Sequence, residues 1–280
     1  MSGGDGVIEV FEQDAKTNIV QSSKGNQLKW KNEDTWYKAD YLGYEGLAEY
    51  LVSALLEKST LDKSEYVIYD LEKIKYKKTI YNGCKSENFL EDGWQIITLE
   101  RLFKSFFDES LNKCIYQITD NGERLHFLVN QVERITGLTK FGIYMNKLFT
   151  IDALFLNEDR HTHNIAVLMN QKGDFDYCPI FDQGAGLLSD TKMDYPLGGE
   201  LYELIDSCKP KTICQDFQEQ LEVSEQLFGC NLKFFFTGKD VKVLLDKADH
   251  YTERERNRVE ELLHEQMRKY PYLFMEVLKS

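Results

Sequence analysis

Apolar residues in the first eighty positions fall in short alternating runs separated by polar turns, the pattern of strands. Residues 7–11 predict a first strand. The small-residue turn Gln21-Ser22-Ser23-Lys24-Gly25-Asn26-Gln27 then leads into Leu28-Lys29-Trp30. A further strand is expected over 35–39, entered through Asn32-Glu33-Asp34. Over 44–58 the period changes. Leu47, Leu51 and Leu55 recur at helical spacing, with Glu45 and Glu49 on another face. Runs at 67–69 and 78–81 again predict strands.

Beyond Asn82-Gly83 helical periodicity dominates, as over 98–107 and 141–156. One β-hairpin interrupts it, with strands expected at 165–169 and 177–181 around the turn Gln171-Lys172-Gly173-Asp174. After Gly199 the pattern is mostly helical and ends with a helix over 253–269. The expected class is α+β with two lobes: a small β-rich N-lobe, residues 1–84, and a larger helical C-lobe, residues 85–280. The boundary is expected between Tyr81 and Phe89. No internal repeat is present, and no low-complexity segment beyond the glycine-rich start.

An apolar fraction of 42% supports a packed core. A net charge of -13 argues against a general nucleic-acid partner, which needs a basic face, and against anionic membrane surfaces. No apolar stretch is long enough to cross a bilayer, and the N-terminus lacks a signal-peptide pattern, so a cytoplasmic location is expected. Cys84, Cys114, Cys178, Cys208, Cys214 and Cys230 form no Cys-x-x-Cys pair and have no histidine at zinc spacing. They read as reduced, mostly buried thiols.

Candidate chemistry centres on Asn157-Glu158-Asp159-Arg160-His161-Thr162-His163-Asn164, between a predicted helix and the hairpin. Asp-x-x-x-x-Asn is the spacing of a kinase catalytic loop. There the Asp accepts the proton of an attacking hydroxyl and the Asn holds a metal. Asp159 and Asn164 fit. Ile180-Phe181-Asp182-Gln183-Gly184 follows the hairpin, where kinases place a metal-binding Asp with a nearby Gly. Asp182 and Asn164 offer the oxygen ligands that Mg²⁺ prefers.

At the nucleotide end, residues 22–27 can turn backbone N–H groups toward phosphates, with Gly25 permitting close approach. Lys38 lies on the next strand, where a cation is needed, and Glu45 or Glu49 of the following helix is its candidate partner. Each feature also has a plainer reading. Lys38 could be a solvated strand residue, Gly25 a hairpin turn, and Asp159, Arg160 and His161 a structural polar network. His161 suits bracing the loop better than acting as base. His126, His250 and His264 have no partner pattern, and Glu253-Arg254-Glu255-Arg256 reads as a solvated helix face.

With Asn157-Glu158-Asp159-Arg160-His161-x-x-Asn164 and Phe181-Asp182-x-Gly184, the chain resembles the HipA-like Ser/Thr protein kinases, including the CtkA-type branch, from Ser22 to about Leu188. The resemblance implies ATP and Mg²⁺ as cofactors, with Asp159 as catalytic base and His161 supporting its loop. It implies Asn164 and Asp182 as metal ligands. Ser23, Lys24, Gly25, Asn26, Gln27, Lys38 and Glu49 would serve the nucleotide. An unidentified protein is the implied substrate, and Ser22 or Ser23 the implied site of autophosphorylation. Full-length HipA toxins carry an additional N-terminal subdomain that helps engage a DNA-binding antitoxin. Little precedes the phosphate loop here, so such a subdomain is not expected and an antitoxin partner stays open. A small-molecule or lipid kinase and a nucleotide-binding pseudokinase are the alternative readings.

Overall fold

The computed structural model describes residues 7–10 and 27–275. The turn at residues 21–26, including Ser22, Ser23, Lys24, Gly25 and Asn26, lies outside the described residues; Gln27 lies within them. In chain order the elements are β1 (Val7–Val10), β2 (Lys29–Asn32), β3 (Thr35–Ala39), α1 (Glu45–Leu56), β4 (Asp70–Tyr76), β5 (Thr79–Glu87) and β6 (Trp94–Thr98). Then follow α2 (Leu99–Phe107), α3 (Leu111–Gln117), α4 (Asn121–Thr136), α5 (Phe141–Phe155), β7 (Ala166–Asn170) and β8 (Phe175–Tyr177). The chain continues with α6 (Leu201–Ser207), α7 (Phe217–Phe228), α8 (Gly238–Asp246) and α9 (Glu253–Lys269).

The chain forms two compact units. One comprises 1–88, 181–207 and 233–280; the other comprises 89–180 and 208–232. The first crossing between units, at Asn88 and Phe89, lies within the interval Tyr81 to Phe89 where the sequence places a boundary, and the chain later returns to the first unit.

The first unit is built on a five-stranded sheet in the order β1-β4-β5-β3-β2. β1 runs parallel to β4, and the other pairs are antiparallel. Alternation sends Tyr37 and Ala39 to one face, where they pack with Val10, Trp30 and Ile74. Lys38, between them, turns to the opposite face. Helix α1 packs on the sheet and buries Leu47, Leu51 and Leu55, the residues of the predicted stripe. Its approach depends on two glycines: a Cβ on Gly46 would lie 2.5 Å from the backbone of Gly83 in β5. Late in the chain, α9 starts with a capping box in which Thr252 and Glu255 satisfy each other's backbone N–H groups.

In the second unit α5 is the central helix, buried along most of its length and packed on α7 and α4. A three-stranded sheet, β6-β7-β8, lies in the same unit. Thr98, Asp120 and Asp216 cap α2, α4 and α7, as expected of such residues.

Several sequence expectations shift. The hairpin is present, but its second strand is Phe175–Tyr177 rather than 177–181. Residues 67–69 form no strand; β4 begins at Asp70 instead. Val67 and Tyr69 are buried and Ile68 is 42% exposed, so the alternation is real without a strand partner. β6 was not anticipated. The six cysteines form no disulfide, and no helix among the described residues is long and apolar enough to cross a membrane.

Candidate active site

In the first unit Lys38 on β3 meets Glu49 on α1. Lys38 Nζ lies 2.5 Å from Glu49 Oε1 and 2.8 Å from Asp182 Oδ1. Glu49 Oε2 accepts the backbone N–H of Gln183 at 2.7 Å, so one carboxylate fixes the lysine and the residue after Asp182. Burial opposes the charge on Lys38, but the carboxylates of Asp182 and Glu49 outweigh it and hold its pKa well above the ordinary value. Burial pushes Glu49 upward against the pull of Lys38. The Lys38 ammonium also lies 5.0 Å from the centre of the Tyr69 ring.

Of the two candidate partners, Glu49 takes the lysine. Glu45, one turn earlier, folds back to accept the N–H groups of Leu42 at 2.6 Å and Gly43 at 2.9 Å. The difference follows from the N-terminal tilt of helical side chains, which aims Glu45 at the preceding loop.

Lys29 was not singled out from sequence. It stands opposite Lys38 in the β2–β3 register, and its Nζ lies 3.8 Å from Asp182 Oδ1. Two like charges side by side on a sheet repel; the Asp182 carboxylate offsets that repulsion. Asp182 itself adopts a left-handed backbone conformation, φ 63°, which aspartate tolerates better than most residues. Gln27 keeps a buried side-chain N–H₂ group, with no hydrogen-bond partner among the described residues.

In the second unit the loop carrying Asp159 begins where Leu156 ends α5 in a left-handed conformation. Asn164 Nδ2 donates to the Asp159 carbonyl at 2.7 Å and to its Oδ2 at 3.2 Å, joining the two ends of the Asp-x-x-x-x-Asn string. That commits the amide nitrogen and leaves the side-chain carbonyl as the oxygen Asn164 can offer a cation. Arg160 is buried and pairs with Asp152 of α5 at 3.2 Å, while its Nη1 donates to the Asn164 carbonyl at 3.3 Å. Burial raises Asp152 to about 6 despite Arg160. Thr162 is held by Glu100 of α2, its hydroxyl donating to Glu100 Oε2 at 3.1 Å.

His161 Nδ1 accepts the His163 N–H at 3.2 Å, which places the proton of the neutral ring on Nε2. Nε2 lies 3.8 Å from Asp159 Oδ1. Burial, followed by the charges of His163 and Lys211, lowers His161 to about 4. The ring is therefore neutral at physiological pH and suited to bracing the loop. Lys211, from the 208–232 segment, places Nζ 3.8 Å from Asp159 Oδ1.

Of the site residues expected from sequence, Lys38, Glu49 and Asp182 meet in the first unit, and Asp159, His161 and Asn164 meet in the second. Asp152, Lys29 and Lys211 are additions. An acid inside the apolar run 149–155 was the available signal for Asp152, because a buried carboxylate needs a partner.

Each unit has donors of the type a nucleotide with Mg²⁺ needs. In the first, Lys38, Lys29 and the Gln27 side-chain N–H₂, which has no partner among the described residues, suit phosphate oxygens, and the Asp182 carboxylate is a hard oxygen of the type Mg²⁺ takes. In the second, the side-chain carbonyl of Asn164 is another such oxygen.

No protein-family model matches the sequence, and no curated protein matches it. Among solved structures, the chain is similar to the Helicobacter pylori proinflammatory kinase CtkA, at 14% identity over 94% of this chain and 95% of that one, with a TM-score of 0.62. HipA of Shewanella oneidensis MR-1, from a toxin–antitoxin complex with HipB and operator DNA, matches at 13% identity with a TM-score of 0.49. That match covers 89% of this chain and 65% of the HipA chain. The protein has the α+β kinase-like fold seen in CtkA.

Proposed function

We propose that the protein is an ATP- and Mg²⁺-dependent kinase that phosphorylates serine or threonine hydroxyls of a protein substrate. The observation that carries this reading is Lys38, buried and held between Glu49 and Asp182. A lysine fixed by one carboxylate and adjoining a second is what phosphate binding beside a metal ligand requires. The kinase-like fold and the Asp159–Asn164 loop support it.

In this reading Lys38 and Lys29 hold phosphate oxygens, and Glu49 keeps Lys38 charged and aimed. Asp182 and Asn164 would hold Mg²⁺, which when bound would screen the phosphate charge and orient the γ-phosphoryl group. Asp159 accepts the proton of the attacking hydroxyl. The hydroxyl oxygen bonds to the γ-phosphorus, the bond from that phosphorus to the bridging oxygen breaks, and its electron pair leaves with ADP. His161, neutral, does not compete for the proton and keeps the loop in place.

Ser22 and Ser23 are proposed acceptors for autophosphorylation. Mass spectrometry after incubation with ATP and Mg²⁺ tests both parts. Phosphoserine or phosphothreonine on this chain or on added protein supports the reading. Nucleotide binding without any phosphoamino acid, or turnover seen only with an added metabolite, contradicts it. Autophosphorylation fails separately if Ser22 and Ser23 stay unmodified while another protein is labelled.

A further inference from the structure

Asp159 is 5% exposed. Arg160, next to it in sequence, pairs with Asp152 and donates to the backbone carbonyl of Asn164. A positive charge comes from another stretch of chain, where Lys211 Nζ lies 3.8 Å from Asp159 Oδ1.

The backbone carrying Lys211 is anchored to the loop it faces. The Thr212 hydroxyl donates to the Arg160 carbonyl. Tyr116 Oη donates to the carbonyls of Lys211 and Thr212 at 3.3 and 3.2 Å. Gln220 Oε1 accepts the N–H groups of Ile213 and Cys214 at 3.0 and 3.3 Å. Thr212, Ile213 and Cys214 are buried; Lys211 projects from them with a side chain 41% exposed.

With the Lys211 side chain 41% exposed and its ammonium 3.8 Å from the carboxylate, solvent screening limits what this pair contributes to stability, and a cation beside a general base lowers its affinity for a proton. The arrangement gains a purpose once negative charge arrives. An acceptor hydroxyl within about 3 Å of Asp159 brings the phosphoryl oxygens within reach of a lysine on a flexible stem at that carboxylate.

We propose that Lys211 is a catalytic residue that contacts the transferring phosphoryl group on its acceptor side. The proposal rests on the kinase reading above. Its contribution falls on the transition state, where charge spreads over the equatorial phosphoryl oxygens, rather than on nucleotide binding. The bonds made and broken are those already given; Lys211 stays protonated throughout.

The test compares wild type, Asp159→Asn, Lys211→Ala and Lys211→Arg for transfer rate, Mg·ATP dissociation constant and unfolding midpoint. We expect Lys211→Ala to lower kcat about 100-fold, with the dissociation constant within about twofold, the unfolding midpoint unchanged and partial recovery in Lys211→Arg. If wild type transfers phosphate and Lys211→Ala keeps near-normal kcat, or loses rate only through nucleotide affinity, the Lys211 role is overturned and the kinase reading stands. Wild type that binds nucleotide and transfers nothing removes the kinase reading and this role with it.

Discussion

Lys38 and Glu49 form a buried ion pair, 2.5 Å from Nζ to Oε1, between a strand and the helix that follows it. Neither charge would survive burial alone. Paired, they form the fixed point around which Asp182 and Lys29 are arranged. Lys38→Met should therefore act twice, weakening Mg·ATP binding and leaving Glu49 buried without its cation. The second effect should cost about 3 kcal/mol in urea unfolding. Lys38→Met/Glu49→Leu should regain most of that stability and none of the nucleotide affinity. Additive losses in the double variant would show that the pair is not the coupled unit described here.

In the proposed function Asp182 holds the metal. Calorimetry of ATP binding with and without Mg²⁺ should give a clear metal-dependent gain in affinity for wild type. The gain should nearly vanish in Asp182→Ala. If metal-free ATP binding falls by the same factor, Asp182 serves the fold around Lys38 and not the cation.

Asp40 makes a pH prediction. Its carboxyl accepts the Gly46 N–H at 2.6 Å and the Tyr251 hydroxyl at 2.9 Å. Burial, with Glu45 adding to it, raises its pKa to about 8; the Gly46 and Tyr251 hydrogen bonds only partly oppose this. The folded state thus holds a proton that the unfolded state releases near pH 4. Stability from this group is full below that value and is lost as pH rises toward 8. Asp40→Asn mimics the protonated form, so its stability relative to wild type should increase between pH 4 and 8 in parallel denaturation curves. A difference independent of pH would refute the assignment.

Arg160 and Asp152 anchor the Asp159–Asn164 loop to α5. Arg160→Met should destabilise the protein by about 3 kcal/mol by stranding a buried carboxylate. Arg160→Met/Asp152→Leu should recover stability while transfer stays impaired, because the Asn164 carbonyl loses its donor. Full activity in the double variant would mean that the loop positions Asp159 without that anchor.

Much of this arrangement was legible because its signals are local. The order of short strands, one amphipathic helix and a helix-rich remainder follows from periodicity, and the meeting of Asp159 and Asn164 follows from their spacing within a few residues. The choice between Glu45 and Glu49 was not, because the two differ by one helical turn and only the path of the preceding loop decides which reaches β3. Lys29 could be found only once the register of the β2–β3 hairpin was known. Lys211 was invisible for a stronger reason: its position near Asp159 depends on how Thr212 and Gln220 dock a distant segment. The strand expected at 67–69 shows the converse, since alternating burial arises wherever an extended segment crosses a core, with or without a strand beside it.

The central claim is that Asp159 serves phosphoryl transfer. Its most direct test is incubation of the purified protein with γ-labelled ATP and Mg²⁺ beside Asp159→Asn, with Mg·ATP affinity measured on both. The account predicts acid-stable label on wild type or an added protein, lost by about 100- to 10,000-fold in Asp159→Asn with affinity nearly unchanged. Near-normal transfer by Asp159→Asn, or no transfer by wild type that binds Mg·ATP, would contradict it.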